Sequence, residues 1–212
     1  MPIDQKLLTL TQWLSPSYPI GAFAFSHGIE QAITQGWIED AEGLHDWLHG
    51  CVTHGSGHTD AVWLRLAYDA EDAVEVDACA RAFAPSWERR READRQGAAF
   101  TRTTNAVYGF DLPDLLLPVA VGRSSALAGL DQDTTVLLYL QAFVGNLVSA
   151  SLRLMPIGQV AGQRVVADLN PVCIATMANT RNATVDDVHS CAFLSDIASM
   201  RHETLEPRLF QS

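Results

Sequence analysis

The chain has 212 residues, 48% of them hydrophobic, with 25 acidic residues against 14 basic ones and a formal net charge of −11. That hydrophobic share excludes a chain disordered throughout. One Lys, at position 6, and no basic run longer than Arg89–Arg91 leave nothing for duplex binding, which needs clustered cations to displace counterions from phosphates.

The first residues, MPIDQKLL, lack the basic start and continuous apolar run of a signal peptide. Leu7, Leu8, Leu10, Thr11 and Leu14 fit one helical stripe that Pro16 stops. The stretch that follows, "SPSYPIGAFAFSHGIE" from Ser15 to Glu30, carries a single charge at its end. It is too apolar for an ordinary surface loop and too broken by Pro16, Pro19 and Gly21 for a helix. Ile29, Ala32 and Ile33 restart the helical pattern, with Gly36 as its stop. Leu44, Trp47, Leu48 and Cys51 repeat the i, i+3, i+4, i+7 spacing, Val62 to Tyr68 carries the next helix, and Val74 to Phe83 another before Pro85.

Ser86 then reads as the N-cap of a charged helix. Glu88 and Glu92, and Arg91 and Arg95, stand four apart, which predicts a solvated, charge-laced face that includes Arg89, Arg90 and Arg91. Leu115 to Leu127 is apolar and predicted to be buried. Asp131 or Asp133 caps the longest helix, from Thr134 to Leu154, apolar on nearly all sides and so central. Even so, no stretch is expected to reach the about 18 uncharged apolar residues of a membrane helix. Gln159 to Leu169 and Val185 to Met200 complete the pattern, the latter with Thr184 as N-cap and Asp186 and Asp187 in its first turn. Strand signals are nearly absent. The expected fold is all-α, a single domain over residues 1–212 built as a bundle of eight to ten helices.

Motifs for chemistry are sparse. Gly21 and Gly28 lack the Gly-Lys-Ser/Thr ending of a phosphate loop, so no nucleotide site is expected. In "HGCVTHGSGH", His49, His54 and His58 are weak metal candidates. On a continuous helix, Cys51, His54 and His58 would share one face, though Gly55 and Gly57 interrupt it. A metal-dependent hydrolase using His49, His54, His58 and Asp60 is the alternative from the enzyme class. His45–Asp46 reads as part of an ordinary amphipathic helix. A helical adaptor of other function is a third reading. Cys51, Cys79, Cys173 and Cys191 form no C-x-x-C pair and fit free thiols in a reducing cytoplasm. At the C-terminal end, Arg208, Leu209 and Phe210 follow a helix-breaking Pro207. They read either as tucked into their own domain or as a docking peptide over residues 204–212.

Four stretches in order resemble the urease accessory protein UreF family. They are "SPSYPIGAFAFSHGIEQAITQGWI", "EADRQGAAF", "LPVAVG" followed by "NLVSASLRLMPIGQVAGQRVVADLNP", and "HETLEPRLFQS". The chain departs from the family's usual residues at Ala22, Phe25, His27 and Gln211, where Gly, Tyr, Gln and Arg are common. The resemblance implies a helical, dimeric, cytoplasmic protein without catalysis or a cofactor of its own. It implies a scaffold that bridges UreD (also called UreH) and the GTPase UreG and helps to deliver nickel to apo-urease. Tyr18, Phe23, Phe25, His27, Glu30, His202, Arg208, Leu209 and Phe210 are the candidate partner-binding residues. Deletion of residues 208–212 is then expected to weaken UreD binding and spare the fold. No nucleic acid and no membrane partner is expected.

Overall fold

A computed structural model describes residues 5–212; the first four residues, part of the stretch read against a signal peptide, lie outside them. The described residues form ten α-helices and two 3-10 turns and contain no strand. The α-helices are α1 (Gln5–Trp13), α2 (Ile29–Thr34), α3 (Ala41–His54), α4 (Ser56–Asp69), α5 (Ala73–Phe83), α6 (Trp87–Tyr108), α7 (Leu117–Leu127), α8 (Gln132–Leu154), α9 (Gln159–Asn179) and α10 (Phe193–His202).

Side chains set the starts of four of them. Asp40, Asp72, Ser86 and Asp131 each accept a hydrogen bond from a first-turn backbone N–H, at Gly43, Val74, Arg89 and Thr134. Each such bond satisfies a donor that the helix itself cannot. The most extensive packing joins α4 to α7 and α8 to α9, and α3 spans α4 and α9. Trp13, Phe100 and Tyr18 meet at one end of the core, the rings of Trp13 and Phe100 edge to face at 5.5 Å.

Four expectations need correction. Helix α9 does not end at Leu169 but runs through Pro171 to Asn179. Proline removes a donor and crowds the preceding turn. Here Val165, Leu169, Cys173 and Thr176 form one buried stripe against α8 and α3, and that packing carries the helix past the fault. The helix expected over Val185–Met200 is broken. Asp187 folds back on Thr184, bonding its N and Oγ1, and so closes a single 3-10 turn. His189 O and Cys191 N are then tied to Thr59 and to His54 O at the α3–α4 junction, and α10 starts only at Phe193.

Helix α8, contrary to expectation, is long and apolar enough to cross a bilayer by length and composition. It packs against α9, α4 and α3 as a core helix of the bundle, with half of its most apolar window buried. Last, the charge-laced face of α6 is solvated only in part: Arg90 and Arg95 are exposed and Arg91 is half-buried, but Glu88, Arg89, Glu92 and Gln96 are buried along with Phe100 and Thr104.

Candidate functional site: the tail seat and its cavity

The buried charges on α6 are covered by the tail. After α10 the chain turns at Pro207 and lays residues 208–212 along α2 and α6. The backbone N–H groups of Leu209 and Phe210 donate to the two oxygens of Glu30, at 2.6 and 2.9 Å. Arg208 pairs with Glu88 at 2.6 Å. His202, wholly buried, stands between the acids, with Nδ1 2.7 Å from Glu88 and Nε2 3.1 Å from Glu30. Ser212 Oγ donates to Glu92 at 2.6 Å, and the main-chain oxygen of Ser212 accepts from both N and Oγ of Ser26. Gln211 N donates to Ala24 O, so tail and opening segment are stitched in both directions. Phe210 is buried, with the guanidinium of Arg153 4.4 Å above its ring, and Arg153 also donates to Phe23 O.

The opening segment divides in the same way. Tyr18 and Phe25 are buried, and Tyr18 OH bonds Thr104 Oγ1 at 2.9 Å. Phe23, on the 3-10 turn Ala22–Ala24, is 73% exposed. His27 takes a positive φ of 59°, uncommon for a residue with a side chain, and its ring is buried against Phe143 with Nε2 on Ser56 Oγ.

Between the opening segment, α6 and α8 lies a cavity of about 460 Å³, with Trp13, Phe100 and Phe143 among its walls and Phe23 on its lining. Its charged lining is His27, Asp60, Arg89 and Glu92, with Tyr139 beside them. Asp60 and Arg89 also line a second, smaller cavity of about 60 Å³ beneath Phe83 and Pro85. Arg89 Nη1 lies against Glu92 Oε2 as an ion pair, off the line of a hydrogen bond.

These groups do not titrate at ordinary values. Burial opposes ionisation of Glu92 most, yet the Arg89 charge, with His27 Nδ1 3.7 Å away and the hydrogen bond from Ser212 Oγ, holds its carboxyl well below the usual range. Burial and the Arg89 charge push His27 down to about 4, against the pull of Glu92. Burial pushes Asp60 up to about 6, with Arg89 and the bond from Tyr139 opposing and Glu92 adding. Below about pH 4, Asp60 is protonated folded or unfolded and costs nothing. From pH 4 to 6 the unfolded chain ionises first and stability falls, and above pH 6 the whole cost stands. That cost is on the order of 3 kcal/mol. Asp60→Asn is therefore expected to raise the melting temperature at pH 8 and leave it unchanged at pH 4. Equal melting of both proteins at pH 8 would show that the carboxyl carries no such cost.

The structure thus brings Glu30, His202, Arg208, Leu209 and Phe210 together, but as an intrachain seat. Of the nine residues nominated for a partner, Tyr18, Phe25, His27, Glu30, His202 and Phe210 are buried within this chain, while Phe23, Arg208 and Leu209 reach the surface. The tail is not a free peptide.

The histidines do not converge. Gly55 divides α3 from α4, so His49 and His54 stand on one helix and His58 on another. His49 neighbours His45 at 6.3 Å, whereas His58 meets His189 at 4.6 Å. Asp60 points to Tyr139 instead, and no three His, Cys, Asp or Glu among the described residues are grouped to hold a metal. The residues not foreseen are Ser26, Glu88, Arg89, Glu92, Tyr139, Arg153 and Ser212. One signal for them was present: Glu88, Glu92, Gln96 and Phe100 stand four apart, so the stripe that ends in a large aromatic continues through the acids.

Comparison with known proteins bears on this arrangement. The UreF family matches residues 38–170. The urease accessory protein UreF of Roseobacter denitrificans is 46% identical over 207 residues, 97% of this chain and 93% of that one. The UreF of Ruegeria sp. (strain TM1040) is 47% identical over 212 residues, 99% of either chain. The chain belongs to the UreF family. The UreF match starts at Ile38 and stops at Asn170, so it covers neither the opening segment nor the tail, but the alignments with whole UreF chains span 97–99% of the sequence. A UreF is by name an accessory protein, and this one is not an enzyme. That disposes of the hydrolase alternative, whose four residues the fold in any case separates.

Proposed function

We propose that this chain is a non-catalytic scaffold in urease maturation. It bridges UreD (UreH) and the GTPase UreG, docks on apo-urease, regulates the GTPase and helps nickel insertion, acting in the cytoplasm as a homodimer. Nickel is its cargo rather than its cofactor, and GTP turnover belongs to UreG, since this chain has no Gly-Lys-Ser/Thr loop. Family membership supports the role, and one surface feature carries the partner reading. The seated tail and the opening segment together present Phe23, 73% exposed, and Leu209, 56% exposed. Arg91, Arg95, Arg153 and Arg208 are all in contact with tail residues 208–211 or their seat. On a protein of net charge −11, this is a local basic rim around two apolar anchors.

The double variant Phe23→Ala/Leu209→Ala is expected to weaken capture of purified UreD about tenfold or more and to lower urease activation in cells. Its melting temperature should stay unchanged, because neither side chain is buried. Full retention of UreD and UreG capture by the double variant would remove this surface from the docking role.

A further inference from the structure

We propose that the cavity beside the tail seat binds a small organic cation, an ammonium or guanidinium group on an apolar body. The cationic end meets Asp60, and the body lies against Phe23 and Phe143. The site goes beyond the scaffold reading and does not depend on it.

Size is the first ground. About 460 Å³ falls within the range of small-molecule sites, roughly 300–1,000 Å³, which are mainly apolar with a few convergent polar groups. Charge is the second. The lining holds two carboxyl groups, Asp60 and Glu92, against one guanidinium, Arg89, and a neutral His27. Glu92 is taken up by Arg89 and by Ser212 Oγ. Asp60 is not: its Oδ2 accepts from Tyr139 OH at 2.8 Å, and its Oδ1 accepts no hydrogen bond from the described residues. An acceptor without a donor on the lining of a mainly apolar cavity favours a ligand that brings N–H groups and positive charge. An anion would meet an excess of carboxylate.

The walls choose among cations. Aromatic faces attract organic ammonium and guanidinium groups, and the amides of Gln96, Gln141 and Asn146 offer further acceptors around the space. A divalent metal needs three or more ligands from side chains such as His, Cys, Asp and Glu. No such group exists here among the described residues.

The test uses the full chain, with benzylammonium as probe and benzyl alcohol as its neutral counterpart, in titration calorimetry. Saturable binding of benzylammonium is expected, at least about tenfold tighter than benzyl alcohol. Asp60→Asn keeps the shape and removes the charge, and it should erase the preference. Gly145→Phe narrows the mouth from a position where an added Cβ meets nothing within 4 Å, so the helix should tolerate it, and binding of both probes should be lost. Equal affinity for the two probes would overturn the proposal, as would a preference that survives Asp60→Asn. So would displacement of benzylammonium by equimolar nickel chloride, which would make the site inorganic.

Discussion

Removal of Leu209–Ser212 is expected to lower the melting temperature on the order of 10 °C, not merely to weaken partner binding. Phe210 is 3% exposed, and loss of a buried Phe side chain costs about 3–5 kcal/mol. The deletion also takes both backbone donors from Glu30 and the hydroxyl from Glu92, leaving buried carboxylates short of partners. Each charge-assisted bond lost in this way adds about 1.5–3 kcal/mol before relaxation. For a chain of this size each kcal/mol moves the melting point by about 2–4 °C. Phe210→Ala alone should reproduce a substantial part of the loss, and Leu209→Ala, at an exposed position, almost none. A truncated protein that melts within about 1 °C of the full chain would mean that the tail rests on the domain without stabilising it.

This changes how the tail relates to partners. A truncation that abolished UreD capture would not separate a lost contact from a damaged seat, since Glu30, Glu88 and His202 serve the fold as well. Exposed Phe23 and Leu209 can be altered without that damage, which makes them the informative positions. Asp60 shows the same tension in the other direction. Its half-buried carboxyl costs stability above pH 6, and such a cost is retained where a site needs the charge.

The helices were legible because their signals are local. Apolar spacing, Asp and Ser caps and the stops at Pro16 and Pro85 depend on neighbours within a turn or two, and the observed elements follow them. What failed depends on distant chain. Nothing near Glu88 or Glu92 tells that residues 208–212 will cover them, some 120 positions on, so charges four apart read as solvated. The helix from Gln159 was read only as far as Leu169, because the stripe from Val165 to Thr176 gains its weight only against α8 and α3. Thr184 was recognised as a cap, but the cap closes one turn only, since the next residues are held by the α3–α4 junction. The site suffered the same blindness. Its aromatic residues and glycines stood out as a group, yet which rings turn inward is decided by Thr104, Phe143 and the tail. Asp60 was noticed only as one member of a histidine cluster that the break at Gly55 takes apart.

Gly97→Ala and Gly122→Ala are each expected to cost about 4 kcal/mol or more, or to prevent folding. A Cβ on Gly97 would lie 2.0 Å from Leu115 O and 2.6 Å from Leu117 N, and one on Gly122 would lie 2.2 Å from Leu64 O. The obstacles are backbone atoms, which cannot rotate aside as a side chain can. Whole helices must shift, and the tightly packed interior transmits that shift. Gly122 sits in the contact of α7 with α4, the most extensive in the fold, and Gly97 is where α6 admits the chain entering α7. That entry also sets Leu117 and Pro118 in the cavity wall, so displacement there should deform the candidate site before the chain unfolds. Helix propensity alone predicts the opposite sign, because Ala is better than Gly in a helix by about 1 kcal/mol. Gly50 and Gly145 supply the control: each is helical, and an added Cβ at either meets nothing within 4 Å. Gly50→Ala and Gly145→Ala should therefore stabilise the chain in denaturant by up to about 1 kcal/mol, while the same change at Gly97 or Gly122 shifts the midpoint far downward. Four variants with similar midpoints would show that the two close backbone approaches are not what fixes α7 in place.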